Sequence, residues 1–200
     1  MTGAVLSFFA RALTGATAHW RGGVPEDRRR VYFANHTSTL DLVLLWSALP
    51  EALRRKARPV AAHDYWTRNR LRHWLAARVF RAVLIERHNV TRENNPLTPM
   101  LAALAEGQSL IIFPEGGRCA GDEIGPFKSG IYHLAREIPD LEFLPVYIDN
   151  LNRVLPKGEI LPVPILCSVH FGSPLRLESG EAKPAFLRRA REAVLNLRAQ

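Results

Sequence analysis

Val31-Tyr32-Phe33-Ala34-Asn35-His36-Thr37-Ser38-Thr39-Leu40-Asp41 reads as a buried strand that ends in reactive groups. The apolar run makes the strand. An imidazole and a carboxylate follow it, five positions apart. A second stretch repeats the arrangement: Leu110-Ile111-Ile112 runs into Phe113-Pro114-Glu115-Gly116-Gly117-Arg118. In open α/β sheets the carboxyl ends of strands are where ligands bind, so both polar clusters fall where a site is expected.

Outward from these stretches the chain alternates. Apolar strand patterns lie near 30–34, 57–62, 80–86, 109–113, 142–148 and 167–172, and helical patterns near 4–14, 40–48, 64–77, 97–106, 128–137 and 184–198. That alternation predicts an α/β fold with a mixed, largely parallel sheet flanked by helices. With 200 residues and 47% apolar content, the chain makes a single domain able to bury a core. Residues 31–172 carry the motifs. Residues 156–164 hold three prolines and read as a loop, over the site or against a membrane. In residues 1–15, Val5, Phe8, Phe9, Ala12 and Leu13 share helical spacing. Their face either lies on a membrane or packs on the domain. No apolar run is long enough for a transmembrane helix, and the start makes a poor signal peptide.

The first cluster has a chemical logic. A neutral imidazole is well placed to take a proton from an alcohol. A carboxylate on its other ring nitrogen fixes the tautomer and steadies the cation that forms. Five residues of ideal helix turn through about 500°, so two helical residues at that spacing do not face each other. The pair meets if His36 lies in the turn and Asp41 on the first turn of the next helix. The hydroxyls of Thr37, Ser38 and Thr39 suit that turn as helix caps.

His36-x-x-x-x-Asp41, with Asn35 before it, resembles the motif of the glycerolipid acyltransferases, the 1-acylglycerol-3-phosphate acyltransferase family. Three further blocks follow in that family's order. Phe80-Arg81-Ala82-Val83-Leu84-Ile85-Glu86-Arg87 is similar to its second block. Phe113-Pro114-Glu115-Gly116-Gly117-Arg118 is similar to its Phe-Pro-Glu-Gly-Thr-Arg block, and Leu144-Pro145-Val146-Tyr147-Ile148 to its fourth. The resemblance implies the family's α/β fold and direct acyl transfer, with His36 as base and Asp41 behind it. It implies that Arg87, Glu115, Gly116, Gly117 and Arg118 hold the phosphate and glycerol of an acceptor. The family often carries a lysine at the position of Lys128, which either adds charge to that site or is an exposed helix-start residue. Gly117 and Cys119 depart from the usual Thr and Ser, removing two hydroxyls.

The implied substrates are an acyl thioester, either acyl-CoA or acyl-acyl carrier protein, and a lysophospholipid. The default acceptor is 1-acyl-sn-glycerol 3-phosphate, with glycerol 3-phosphate and a lyso-aminolipid as alternatives. No cofactor and no metal are expected. Two cysteines, Cys119 and Cys167, make no disulfide framework and fit a cytoplasmic setting.

The net charge of +8 is concentrated. Between Glu51 and Arg92 there are 11 Lys/Arg against 3 Asp/Glu, so the rest of the chain sums to zero. Such a patch suits an anionic membrane surface on the cytoplasmic side, and an acidic carrier protein is a further partner for it. Two rivals remain. A covalent hydrolase would use Ser38 or Ser129, but the chain lacks a Gly-x-Ser-x-Gly elbow. A non-catalytic basic module binding membrane or nucleic acid explains the charge but not the four ordered blocks, so no nucleic acid is expected.

Overall fold

A computed structural model of the protein describes residues 15–198 except 39, 88–89, 92, 119–122 and 150–166. Its elements run β1 (Thr17–Trp20), β2 (Arg30–Ala34), α1 (Asp41–Ala48), α2 (Glu51–Lys56), β3 (Ala57–Ala62), α3 (His63–Trp66) and α4 (Arg70–Trp74). A π-helical stretch, Leu75–Phe80, continues α4. Then follow β4 (Val83–Ile85), α5 (Leu97–Ala105), β5 (Ser109–Ile112), α6 (Gly130–Glu137), β6 (Glu142–Asp149), β7 (Ser168–Phe171) and α7 (Lys183–Arg198). The seven strands form one sheet in the order β1-β7-β6-β2-β5-β3-β4. Every pairing is parallel except β6 with β7, as the alternation of elements predicts.

The all-apolar character of β2 follows from its central place. Its side chains alternate between two cores. Tyr32 and Ala34 join α1, Ile111, Leu144, Val146 and Phe171 on one face. Val31 and Phe33 join α5, α6, α7 and Phe143 on the other. A strand covered on both faces cannot show polar alternation.

Strand order also places the site. After β2 the chain crosses to β3 by way of α1, on the first face. After β5 it crosses β2 in the opposite direction to reach β6, by way of α6, on the second face. The loops leaving β2 and β5 therefore part to opposite faces, and a crevice opens between the two strand ends. This is the topological switch point at which open α/β sheets bind ligands.

The register of β2 on β6 is pinned at both ends. At the start, Arg30 lies opposite Glu142, and its Nε donates to Glu142 Oε2 at 2.8 Å. At the finish, the buried Asn35 continues the ladder with its side chain. Its Nδ2 donates to the Ile148 carbonyl at 3.0 Å, and its Oδ1 accepts from the Ile148 amide at 2.8 Å.

Several elements differ from the sequence expectation. The helical pattern at 64–77 is two helices. Thr67 closes α3 by donating its hydroxyl to the His63 carbonyl, and the Asn69 side chain caps α4 by accepting from the Arg72 amide at 2.9 Å. The strand expected at 80–86 shrinks to three residues. Phe80 is drawn into the core beside Trp46 and Trp66 as the end of the π-helical stretch, and Arg81 turns the chain with φ 52°. Strand β1 and helix α2 are additional. The helical pattern at 4–14 and the proline loop at 156–164 lie outside the described residues.

Burial pushes the Glu142 carboxyl up, but the Arg30 and Arg176 guanidiniums outweigh it and hold it below its ordinary value of 4.5. A depressed folded value means stability that is fully present above 4.5 and lost as pH falls through the folded value. Glu142→Gln should therefore destabilise the protein by about 2 kcal/mol at neutral pH. The gap to wild type should narrow as pH falls below 4.5, as read by denaturant unfolding at several pH values. A gap of constant size would show that the charge is not what matters.

Candidate active site

His36 leaves the end of β2 in an extended turn, and α1 begins at Asp41. The turn brings His36 Nδ1 to 2.7 Å from Asp41 Oδ2. The same oxygen accepts the amides of Thr37 at 2.7 Å and Ser38 at 2.8 Å. The turn is thus organised by the carboxylate. Leu40 stands at the N-cap position of α1 with no side-chain cap bond, so hydroxyl capping of that helix is not seen among the described residues. Instead, Ser38 Oγ accepts from the Leu40 amide at 3.3 Å.

Asp41 is fully buried and His36 keeps about a fifth of its side chain exposed. Burial pushes the Asp41 carboxyl up, while the His36 hydrogen bond and the Ser38 and Thr37 amides pull against it. A desolvated carboxylate interacts more strongly with a cation beside it than a hydrated one does. With Nδ1–H given to Asp41, the lone pair of the neutral ring lies on Nε2, which has no hydrogen-bond partner among the described residues. The ring stacks on Phe113, with centroids 4.4 Å apart, which limits its rotation.

The second cluster reaches the first through Glu115. Its Oε1 accepts the His36 amide at 2.8 Å and its Oε2 accepts the Gly125 amide at 3.0 Å. This buried carboxylate ties the β2 turn to the β5 turn and to the segment before α6. The Gly116 amide closes the β5 turn onto the Phe113 carbonyl at 3.0 Å. Gly116 has φ +72°, and a Cβ there would sit 2.6–2.7 Å from the Lys128 side chain. Lys128 is held in turn by its amide, which donates to the Pro114 carbonyl at 2.8 Å.

One cleft of about 380 Å3 joins these groups. It is lined by His36, Arg87, Gly116, Gly117 and Arg118 on its polar side, and by Val60, Ala61, Tyr65, Trp66, Ile85, Ile112 and Phe113 elsewhere. Arg87, from the end of β4, is held by both carboxylate oxygens of Asp64 at 2.9 and 3.1 Å. Of the residues singled out in the sequence, Asp41 and Glu115 stand behind the cleft rather than in its lining, and Lys128 packs against Gly116. Asp64, Tyr65 and Trp66 carry no signal of this placement in the sequence, and Phe113, though it opens the third block, carries none of its stacking on His36. Among the described residues, no three His, Cys, Asp or Glu side chains gather as a metal site. Cys167 is buried, which pushes its thiol up to about 11.

The Acyltransferase family model matches residues 17–149, which hold the whole of this arrangement. The chain belongs to the Acyltransferase family. Its relatives include a 1-acyl-sn-glycerol-3-phosphate acyltransferase of Cocos nucifera, 24% identical over 84% of this chain and 56% of that protein. A 1-acyl-sn-glycerol-3-phosphate acyltransferase alpha of Mus musculus is 25% identical over 96% of this chain and 67% of that one. The chain thus spans a little over half the length of the coconut relative. The crystal structure of the 1-acyl-sn-glycerophosphate (LPA) acyltransferase PlsC from Thermotoga maritima shares the fold. Its TM-score is 0.77 at 19% identity, covering 98% of this chain and 78% of that one.

Within this Acyltransferase-family chain, the two glycines of the third block are not equivalent. Gly116 needs both its positive φ and its missing side chain, whereas a Cβ on Gly117 would meet nothing within 4 Å. Gly116→Ala should lower stability by about 1–3 kcal/mol, the usual cost of a strained φ. Gly117→Ala should change it by no more than about 0.5 kcal/mol. Thermal unfolding of the two variants side by side checks this, and equal effects would contradict it.

Proposed function

We propose that the protein transfers a fatty acyl group from an acyl thioester to the free hydroxyl of 1-acyl-sn-glycerol 3-phosphate, giving phosphatidic acid. The observation that carries this reading is that one cleft holds the carboxylate-backed His36, two guanidiniums and an apolar wall. The names of the relatives support the same substrate class.

In the proposed reaction, His36 Nε2 removes the hydroxyl proton as that oxygen attacks the thioester carbonyl carbon. The tetrahedral adduct collapses with loss of the C–S bond. The leaving thiolate takes the proton back from the imidazolium, and the free thiol departs. Asp41 holds the Nδ1–H tautomer and favours the transient cation. Base catalysis of this kind supplies about 10²–10⁴ in rate, and alignment of the acceptor must add more. Arg87 and Arg118 are assigned to the acceptor phosphate, for which a planar guanidinium fork is suited. Lys128 is assigned as added positive charge beside the Gly116 turn. Glu115, Gly116 and Gly117 shape the floor against which the glycerol lies. The apolar wall from Val60 to Phe113 takes an acyl chain.

The donor is acyl-CoA or an acyl-acyl carrier protein, and no cofactor is assigned. The acceptor is a bilayer lipid, so we place the protein peripherally on the cytoplasmic face of a membrane, where such thioesters are found. Among the described residues, no helix is long and apolar enough to cross a membrane.

His36→Ala should abolish transfer while thermal unfolding stays cooperative. Asp41→Asn is more informative. An amide oxygen at the Oδ2 position can still accept the three donors, so the turn survives while the charge is lost. The value of kcat should fall about 10³- to 10⁴-fold, as such a change does in a related constellation. Acyl transfer at the wild-type rate in His36→Ala would end the mechanism. Glu115→Ala should lower kcat about 100-fold, because it frees the His36 backbone and misplaces the base by a fraction of an ångström to an ångström. A rise in KM with kcat intact would instead make Glu115 a direct acceptor ligand.

A further inference from the structure

The segment from Arg68 to Arg81 is unlike the rest of the surface. It holds five arginines and one histidine and no acidic residue. Its helical part, α4 and the π-helical stretch, buries one face: Ala76 and Phe80 are in the core and Leu75 and Val79 pack against it. The opposite face should be polar in a helix that meets only water. Here it presents Leu71, 66% exposed, and Trp74, 44% exposed. These are two of the four large apolar residues that stand exposed among the described residues. They lie one helical turn apart, and the exposed Ala77 and Arg78 follow on the same side.

The charge around them is unopposed. Arg68, Arg70 and Arg78 are exposed, and among the described residues none has an acidic partner. Four basic residues elsewhere in the patch behave differently: Arg55, Lys56, Arg58 and Arg87 each face a carboxylate. An exposed Leu-Trp pair ringed by unpaired arginines fits a bilayer interface. Tryptophan settles at the headgroup level, and each nearby arginine is drawn to anionic lipid.

The helix that carries this surface abuts the cleft wall through its other side. The Arg72 guanidinium stacks 4.4 Å over the ring of Tyr65, and Tyr65 and Trp66 line the cleft wall. A bilayer seated on Leu71 and Trp74 would therefore be separated from the wall of the His36 cleft by the thickness of this one helix. We infer that the exposed face of α4 and its π-helical continuation is a membrane-docking surface for anionic bilayers, which delivers a lipid acceptor directly into the cleft. The delivery step rests on the proposed acyl transfer to a bilayer lipid; the docking itself does not.

Binding is therefore read without catalysis. Full-length protein is sedimented with phosphatidylcholine vesicles prepared with and without phosphatidylglycerol. Wild type should bind the anionic vesicles, more weakly as salt rises, and Trp fluorescence should shift to the blue. Arg68→Gln, Arg70→Gln and Arg78→Gln should each weaken binding about fivefold, and together about 100-fold. Leu71→Ser with Trp74→Ser should weaken it at least about tenfold and remove most of the fluorescence shift. These positions are exposed, so the variants should keep the wild-type unfolding midpoint, which serves as the folding control. Transfer to a short-chain, water-soluble lysolipid should be unchanged in the Leu71/Trp74 variant, while transfer to a vesicle-embedded acceptor falls. Folded variants that bind anionic vesicles as tightly as wild type would overturn the inference. So would a wild-type protein that ignores vesicles but holds a duplex oligonucleotide through the same arginines. If wild type transfers no acyl group to any lysolipid, the proposed function fails while the vesicle result stands by itself.

Discussion

A single oxygen atom, Asp41 Oδ2, collects the His36 ring nitrogen and the amides of Thr37 and Ser38. These donors all come from the five residues that precede Asp41, so the carboxylate winds the chain around itself. It sits at the first residue of α1, and its helix is rooted by Leu44, Leu45 and Trp46 in the core. The imidazole is therefore referenced to the hydrophobic core through a rigid helix rather than through a mobile loop. Buried polar atoms are tolerated when hydrogen bonds replace lost water, and this oxygen has its full share. The geometry of the imidazole and the folding of the turn are one event.

A turn organised only from within could still drift relative to the rest of the cleft. Two outside constraints prevent that. Asn35 locks the start of the turn to β6, and Glu115 locks the His36 amide to the β5 turn. Both anchors come from strands adjacent to β2 in the sheet. The switch point opens a crevice because the flanking crossovers diverge, and such a crevice has no covering helix to hold its rims. Side chain to backbone bonds across the strand ends supply the stiffness that the topology leaves out.

How much of this was legible from sequence depends on the range of the interaction. Central strands such as β2 and β5 announce themselves, because burial on both faces demands unbroken apolar runs. The His36–Asp41 contact was legible because it is local: only a turn followed by a helix lets the two meet. Strand β1 was not, since Thr17-Ala18-His19-Trp20 is an exposed edge whose strand character comes from pairing with β7, some 150 residues away. The break between α3 and α4 is hidden because one amphipathic pattern runs through it, and only the side-chain bonds of Thr67 and Asn69 divide it. The Glu115 bond to the His36 amide spans 79 positions. Its residue type was visible, but a carboxylate after a strand looks the same whether it meets a ligand or a backbone amide.

Two arginine–carboxylate pairs in the molecule show how burial decides what such a pair can do. The Arg30 and Glu142 side chains are 5% and 12% exposed. Separating them would strand a charge in the protein interior, at a cost of several kcal/mol, so this pair is permanent and belongs to the fold. Arg87 and Asp64 are 33% and 52% exposed, and a pair that wet contributes only about 0–1 kcal/mol. Water can take over Asp64 if Arg87 turns away. The weak pair nevertheless holds the guanidinium at the cleft wall when no ligand is present, which reduces the rotamer entropy lost on binding. The phosphate of the proposed acceptor, with two charges and three acceptor oxygens, would compete well against one hydrated carboxylate. Arg87 is thus oriented by a partner it can leave, which suits the phosphate-binding role proposed for it, whereas Arg30 is not.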